Sequence, residues 1–464
     1  MLRTMADQPT LWESMLPPEV LRLPAELARV NALLDDPAFF APFMAHFDPR
    51  FGRPSIPMET YLRLMFLKYR YRLGYESLCR EVADSISWRR FARIGLDGAV
   101  PHPTTLMKIT TRCGDSAVAA LNEALWAKAS EAKLLRTHKV RADTTVVPAN
   151  VVYPTDSGLL AKAVGKLARI VARVHAAGGA VRTKAQDRRR AAGRRMRQLT
   201  GNLRTRAKLS REENTAAVHR IAGELAGLAE KAATEASAVL RNGCRAADKV
   251  TDGRMRGRLE RALDELAVTI VRTGRLVGQT RLLLAGQTPA GADRLVSLHD
   301  PDARPIRKGR IDRPVEFGYK AQVVDNADGI VLDYNVEIGN PADAPQLAPA
   351  VDRITRRVGR PPRAVTADRG YGEPVVDRDL QALGVHTIAI PRKAKIAPPR
   401  RRVEHSPGFR RLVKWRTGSE GRISHLKHAY GWDRSRLDGR TGAAIWCGYG
   451  VFAHNLTKIG ALAG

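Results

Sequence analysis

A chain of 464 residues with 44% apolar content is long enough for two or three domains with their own cores, and too apolar for a disordered tail. Its 78 Lys and Arg against 47 Asp and Glu give a formal net charge of +31, which points to a polyanion; nucleic acid is the commonest soluble one and a membrane surface the weaker alternative. Cys79, Cys113, Cys244 and Cys447 form no Cys-x-x-Cys pair, which argues against a zinc ribbon or a disulfide framework and fits a reducing compartment.

No secretion signal is expected, because Arg3, Asp7 and Glu13 interrupt the first residues. Residues 10–135 read as helical. In "PMETYLRLMFLKYRYRLGYESLCREVADSISWRRFARI", Leu62, Met65, Phe66 and Tyr69 recur at helical spacing, Gly74 breaks the run, and Leu78, Val82 and Ile86 resume it. A further helix starts in "VPHPTTLMKITTRCG" at Pro103 or a neighbouring threonine. Short helices with interspersed arginines suit a DNA-binding bundle, such as one of helix-turn-helix type, and equally a helical domain with a solvated basic surface.

"THKVRADTTVV" at 137–147 is an isolated strand that carries Asp143 in its middle. Residues 157–290 then change character: rich in Ala, Arg, Leu and Glu, they predict long antiparallel amphipathic helices joined near Gly178-Gly179 and Asn242-Gly243. Within 182–220 there are 13 Lys and Arg against three acids. The run "RRRAAGRRMR", with Arg188, Arg189, Arg190, Arg194 and Arg195, is denser than solubility requires, because like charges so close repel. Phosphate contact is one reading of it and a solvated coiled-coil face the other.

From 305 onward the pattern turns to strands. "VEFGYKAQVVD" and "GIVLDYNVEI" flank the turn sequence "NADG" and predict a hairpin. A helix over 343–358, a strand at "RAVTAD", a helix over 375–383 and a strand at "VHTIAIPR" follow. The rest is helical from about 410, interrupted near "GWDRSRLDGRTG". The apolar run at 441–453 is too short to span a bilayer and reads as a buried helix. With the strand at 137–147 restored to it, this region makes an α/β domain whose first strand is followed by a basic helical insertion.

Three acids stand out. Asp143 lies in a strand suited to burial, and burying an ionised carboxylate without a partner is costly. Asp368 ends the strand "RAVTAD" before Gly370 and Gly372, which are expected to let the backbone turn away. Glu420 lies in "WRTGSEGRISHLKHAYGW". Two strand-borne aspartates and one helix-borne glutamate suit a hard divalent cation, although each aspartate alone could be a capped strand end. A helix through 416–427 would place Arg416, Glu420 and Lys427 in one stripe, with Lys427 aimed at a phosphate; the glycines at 418 and 421 would instead allow a helix start at Glu420. Arg369 suits a phosphate contact or a salt bridge. Asp325 and Asp333 are expected to face solvent, and His425 and His428 to be surface or phosphate-contacting residues. No dinucleotide loop and no Walker A sequence is present.

"VRADTTVVPANVVYPTDSGLL", "VTADRGYG" and "WRTGSEGRISHLKHAYG" resemble the three acidic blocks of bacterial insertion-sequence transposases of the DDE class. "FGRPSIPMETYLRLMFLKYRYRLGYESL" resembles the helical domain that often precedes them. The resemblance is weakest across 160–290. It implies a ribonuclease-H-like catalytic fold in which Asp143, Asp368 and Glu420 are catalytic and bind two Mg²⁺ ions, with Mn²⁺ as a substitute. Arg416, Glu420 and Lys427 match the spacing of the family's Tyr-Arg-Glu-Lys signature, but Val413 stands at the tyrosine position.

The organisation this implies is a helical DNA-binding domain at 1–135, the first catalytic strand at 136–156, the basic insertion at 157–290, and the rest of the catalytic domain at 291–464. The implied partner is double-stranded DNA, as element ends and as target, bound by a homodimer, with no membrane, in a nucleoid-associated cytoplasmic setting. DNA contacts fall to Arg416, Lys427, Arg369 and the five arginines at 188–195. The implied activity is endonucleolytic cutting at the terminal repeats and joining of the 3′ ends to target DNA. A nuclease without strand transfer, a catalytically silent DNA-binding regulator and a basic RNA-binding protein are the alternatives.

Overall fold

A computed structural model describes residues 1–5, 14–152, 154–204, 210–307, 314–394 and 396–463. By its contacts the chain divides into two compact units, one formed by 1–150 with 319–464 and the other by 151–318. The boundary expected at 135 falls inside the first unit, and the expected insertion at 157–290 inside the second.

The first unit opens with helices α1 (Pro18–Leu21), α2 (Ala25–Leu33), α3 (Ala41–Met44), α4 (Met58–Arg70), α5 (Tyr75–Asp84), α6 (Ile86–Phe91) and α7 (Pro103–Glu131). Every residue of α4 from Met58 to Tyr69 is buried, including the expected Leu62, Met65, Phe66 and Tyr69. Its two buried cations find partners inside: Arg63 meets Asp35 and Asn31, and the Lys68 ammonium sits 4.2–4.7 Å from the rings of Tyr69, Tyr75 and Trp446. Ile86 departs from expectation: it is 39% exposed, because Ser85 caps a new helix at Trp88 and resets the apolar phase. Pro103 does start α7, one residue after its cap His102.

The sheet of this unit is built on β1 (Lys139–Pro148). β3 (Val315–Asn326), whose first four residues fall in the second unit, and β4 (Val331–Ile338) form the expected antiparallel hairpin, with Gly329 in the left-handed region at its turn. Helix α12 (Ala344–Val358), β5 (Ala364–Ala367), α13 (Pro374–Ala382) and β6 (Thr387–Ala389) follow. The strands are ordered β4-β3-β1-β5-β6, and β1, β5 and β6 run parallel. This is a mixed sheet with β1 at its centre.

Three helices follow: α14 (Pro398–His405), α15 (Pro407–Arg416) and α16 (Gly418–Tyr430). The last, α17 (Gly439–Ala463), contains the apolar run and is buried over most of its length, packing on α7, α2, α4 and β4. Among the described residues no helix is long and apolar enough to cross a membrane.

In the second unit α8 (Asp156–Ala176), α9 (Arg189–Arg204), α10 (Arg211–Ala247) and α11 (Gly253–Leu284) share two apolar clusters, centred on Leu160, Leu225 and Leu276 and on Val174, Leu259 and Leu266. Strand β2 (Arg304–Arg307) pairs with the first residues of β3. The joint at Gly178 is present, with φ +80°. The joint expected at Asn242-Gly243 is not: α10 runs through both, and the break falls between Asp248 and Asp252, which caps α11. Gly243 serves packing instead, since a Cβ there would lie 2.6 Å from Leu263.

Candidate active site

The parallel register of β1 and β5 ends at Ala142 opposite Ala367, so Asp143 and Asp368 are the next residue on each strand. Two carboxylates from sequence positions 225 apart are thereby set side by side. Asp143 is 9% exposed and accepts a hydrogen bond from the Thr144 amide at 2.8 Å. Asp368 caps a single 3-10 turn, Arg369–Tyr371, accepting from the Gly370 amide at 2.8 Å. The two glycines act differently from expectation. Neither has a positive φ, and both are required by close approach: a Cβ on Gly372 would lie 2.0 Å from the Pro391 carbonyl, and one on Gly370 2.8 Å from Asp343 and Asp368 carboxylate oxygens.

Burial, then the charge of Asp368, push the Asp143 carboxyl up to about 6; the Thr144 amide and Arg416 oppose the rise and Glu420 adds to it. Asp368 is raised by burial and by Asp343, against the Gly370 amide, Arg416 and Lys320. Both aspartates are thus held above the usual carboxylate range, burial being the first cause in each. The site therefore concentrates negative charge beyond what its own cations offset.

Arg416 is the cation that reaches in. Its Nη1 lies 3.2 Å from Asp143 Oδ2 and its Nη2 3.8 Å from Glu420 Oε1. The single helix expected through 416–427 is broken at Thr417: Arg416 closes α15, and Glu420 sits in the first turn of α16. The glycines at 418 and 421 make this the cheaper arrangement. The Glu420 side chain is 74% exposed. Lys427 is half-buried in the last turn of α16. Arg369 is exposed and donates to the Arg392 carbonyl at 2.7 Å. Among the described residues no three of His, Cys, Asp and Glu are arranged to hold a metal ion. The structure thus brings Asp143, Asp368 and Arg416 together, with Glu420 joined to them through Arg416.

Asp325 and Asp333 correct the sequence reading. Both are buried, at 1% and 2% exposure. Asp325 takes a two-pronged contact from Arg141 (2.9 and 2.8 Å) and a third from Arg422 at 3.3 Å. Asp333 is gripped by Arg353 at 2.8 and 2.6 Å, with Arg357 at 3.6 Å. Arg141 also donates to the Trp415 carbonyl at 2.8 Å and lies over the Trp415 ring. Gly418 and Gly329 make room for these guanidinium groups: a Cβ would meet Arg141 at 2.3 Å and Arg422 at 1.9 Å. Asp325 therefore ties the segment bearing Arg416 and Glu420 to β1 and β3.

Sequence reasoning also passed over Asp343 and Lys320. Lys320 Nζ lies 2.7 Å from Asp343 Oδ1, and Asp343 in turn acts on Asp368. A signal for the Asp325 cluster was present in β1, where Arg141 and Asp143 share one face two residues apart.

The arginines at 188–195 lie in the second unit. Arg188 pairs with Glu235 at 2.5 Å, Arg189 with Asp187 at 2.7 Å, and Arg195 with Glu224, while Arg190 and Arg194 line an open basic concavity with Arg197. His425 and His428 are exposed as expected, and the His425 ring packs 5.4 Å from those of Tyr430 and His454.

Residues 14–112 match the family model described as Transposase domain (DUF772), and residues 295–456 match the one described as Transposase DDE domain. No curated protein and no solved structure matches the chain. DDE transposases generally use divalent metal ions.

Proposed function

Since the chain belongs to the insertion-sequence transposases of the DDE class, we propose that it binds the terminal inverted repeats of its own element, cuts DNA at the 3′ ends, and joins those ends to target DNA. The observation that carries this is the pairing of Asp143 with Asp368 across two adjacent parallel strands, under the guanidinium of Arg416. The central parallel strands beside an antiparallel hairpin support a ribonuclease-H-like reading of the sheet.

The donors suit a hard cation in kind, being carboxylate oxygens only, with burial and then the charge of Asp368 pushing Asp143 up to about 6. Asp143, Asp368 and Glu420 are the residues that would hold Mg²⁺, or Mn²⁺ in its place. When bound, two such ions lower the cost of forming an attacking oxygen nucleophile and of releasing the leaving oxygen. The chain's own residues do the rest. β1 and β5 hold the two aspartates at fixed spacing, and the Asp325 cluster holds the helix that bears Glu420. Arg416, paired to Asp143, is placed to take a phosphate oxygen of the bound strand.

In the first step a water oxygen attacks the scissile phosphorus and the 3′ oxygen leaves as a hydroxyl. In the second that hydroxyl attacks a target phosphodiester and the target's 3′ oxygen leaves. Phosphate contacts come from Arg416, Lys427 and Arg369 and from Arg188, Arg189, Arg190, Arg194 and Arg195, and the helical residues 18–131 form the end-binding part of a homodimer assembled on DNA. The test is incubation of the full chain with labelled duplexes carrying the inverted repeats that flank its gene, with Mg²⁺ or Mn²⁺. Nicks with 3′-hydroxyl ends and joined products are expected. Uncut DNA with either ion overturns the proposal.

A further inference from the structure

Residues 398–416 hold seven Lys and Arg against a single Glu, with Arg416 already committed to Asp143. Arg400 is used internally: it contacts Asp377 at 3.1 Å, Glu404 at 2.9 Å and the Ile390 carbonyl at 2.7 Å, and lies over the Phe409 ring. Those contacts hold α14 against α15 and occupy the only acid of the stretch, since Glu404 also accepts from the Arg392 amide. Arg401, Arg402, Arg410, Arg411 and Lys414 form no ion pair among the described residues, and all five are exposed.

Arg410, Arg411 and Lys414 fall within about 100° of arc on α15, while Phe409 is buried where that helix packs on β5 and β6. The cations thus form the outer face of a helix whose last residue, Arg416, touches Asp143. Lys414 stands two residues, about 3 Å of helix rise, from Arg416. Like charges at i and i+4, such as Arg410 and Lys414, repel along a helix, so this face carries a cost that an anionic partner would remove. The arginines at 188–195 differ, because Arg188, Arg189 and Arg195 already have carboxylates.

We propose that the outer face of α14 and α15, through Arg401, Arg402, Arg410, Arg411 and Lys414, is a binding surface for the phosphate backbone of duplex DNA beside the cleavage site. It rests on the proposed transposase activity. About 15 Å of α15 faces roughly four phosphates of one strand at 3.4 Å of rise each. The contacts are to backbone alone, so the surface grips flanking or target DNA regardless of sequence.

The experiment compares the full chain with a variant carrying Arg401→Gln, Arg402→Gln, Arg410→Gln and Arg411→Gln. Binding to a labelled duplex of random sequence is titrated in chelator across a series of salt concentrations. The slope of log K against log salt is expected to fall by about 0.9 for each phosphate no longer neutralised, with the far-UV circular dichroism unchanged. A variant slope equal to that of a wild type that binds and cuts overturns this surface and leaves the transposase reading standing. A wild type that binds no duplex overturns both. Tighter binding of an RNA duplex than of a DNA duplex overturns the choice of partner.

Discussion

Asp325 and Asp333 lie deeper than Asp143, at 1% and 2% exposure against 9%, and each meets a two-pronged arginine and a second guanidinium. Asp143 and Asp368 have less cover and less compensation. They repel one another and share the guanidinium of Arg416, which Glu420 also draws on, with Lys320 acting on Asp368 while paired to Asp343. The depth of an acid therefore says little about its role. A buried carboxylate whose charge is matched by fixed cations is part of the scaffold. One left partly unmatched is a place where a further cation lowers the energy.

The largest effect that tests this contrast is on catalysis. Asp143→Asn, Asp368→Asn and Glu420→Gln should each slow Mg²⁺-dependent cleavage of an end duplex by about 10³-fold or more, several kcal/mol of barrier, while DNA binding persists. Cleavage at the wild-type rate by any one of them removes that residue from the site. Asp325→Ala should act on the fold instead. It strands Arg141 and Arg422 without their acid, and urea denaturation should show a loss of about 3 kcal/mol or more. A soluble, fully stable variant would show that Asp325 is not the anchor.

A smaller effect has the opposite sign. The folded-state pKa of Asp143 is raised to about 6, above its unfolded value of 3.8, so its contribution to stability is fully present below pH 4 and is lost as pH rises through 6. Asp143→Asn should therefore stabilise the protein by about 1–2 kcal/mol at pH 8 in chelator, with the gain gone at pH 4. Equal melting temperatures at both pH values would show that the carboxylate is already compensated. Lys427→Ala is the smallest change, a few-fold drop in end affinity or cleavage rate with the metal requirement unaltered. Wild-type values in both assays would leave Lys427 a structural residue.

The strands that carry the site were legible because local signals agreed: β-rich runs about "NADG" for the hairpin, and an apolar stretch around Asp143 in β1. The depth of Asp325 and Asp333 was not, because the cations that allow it are supplied from elsewhere in the chain. Arg141 is 184 residues away from Asp325 and Arg422 97. Glycines misled for a related reason. At Gly243, Gly370 and Gly372 the missing side chain makes space for a neighbour, which a local reading takes for a turn. The basic density at 188–197 was visible too, but two of the acids that meet it, Glu224 and Glu235, come from α10.

The division of the chain into an uninterrupted unit at 151–318 and a split unit at 1–150 and 319–464 bears on the order in which the protein acquires its shape on the ribosome. The bundle at 151–318 can close as soon as its own residues emerge. The first unit cannot, because α17, made after residue 438, packs on α2, α4 and α7. At roughly 10 residues per second the early helices wait on the order of tens of seconds for that partner, with apolar faces uncovered. Nascent chains arrested before residue 439 should thus yield a protease-resistant 151–318 fragment while 1–150 is digested, and holdase chaperones should be needed most during that interval.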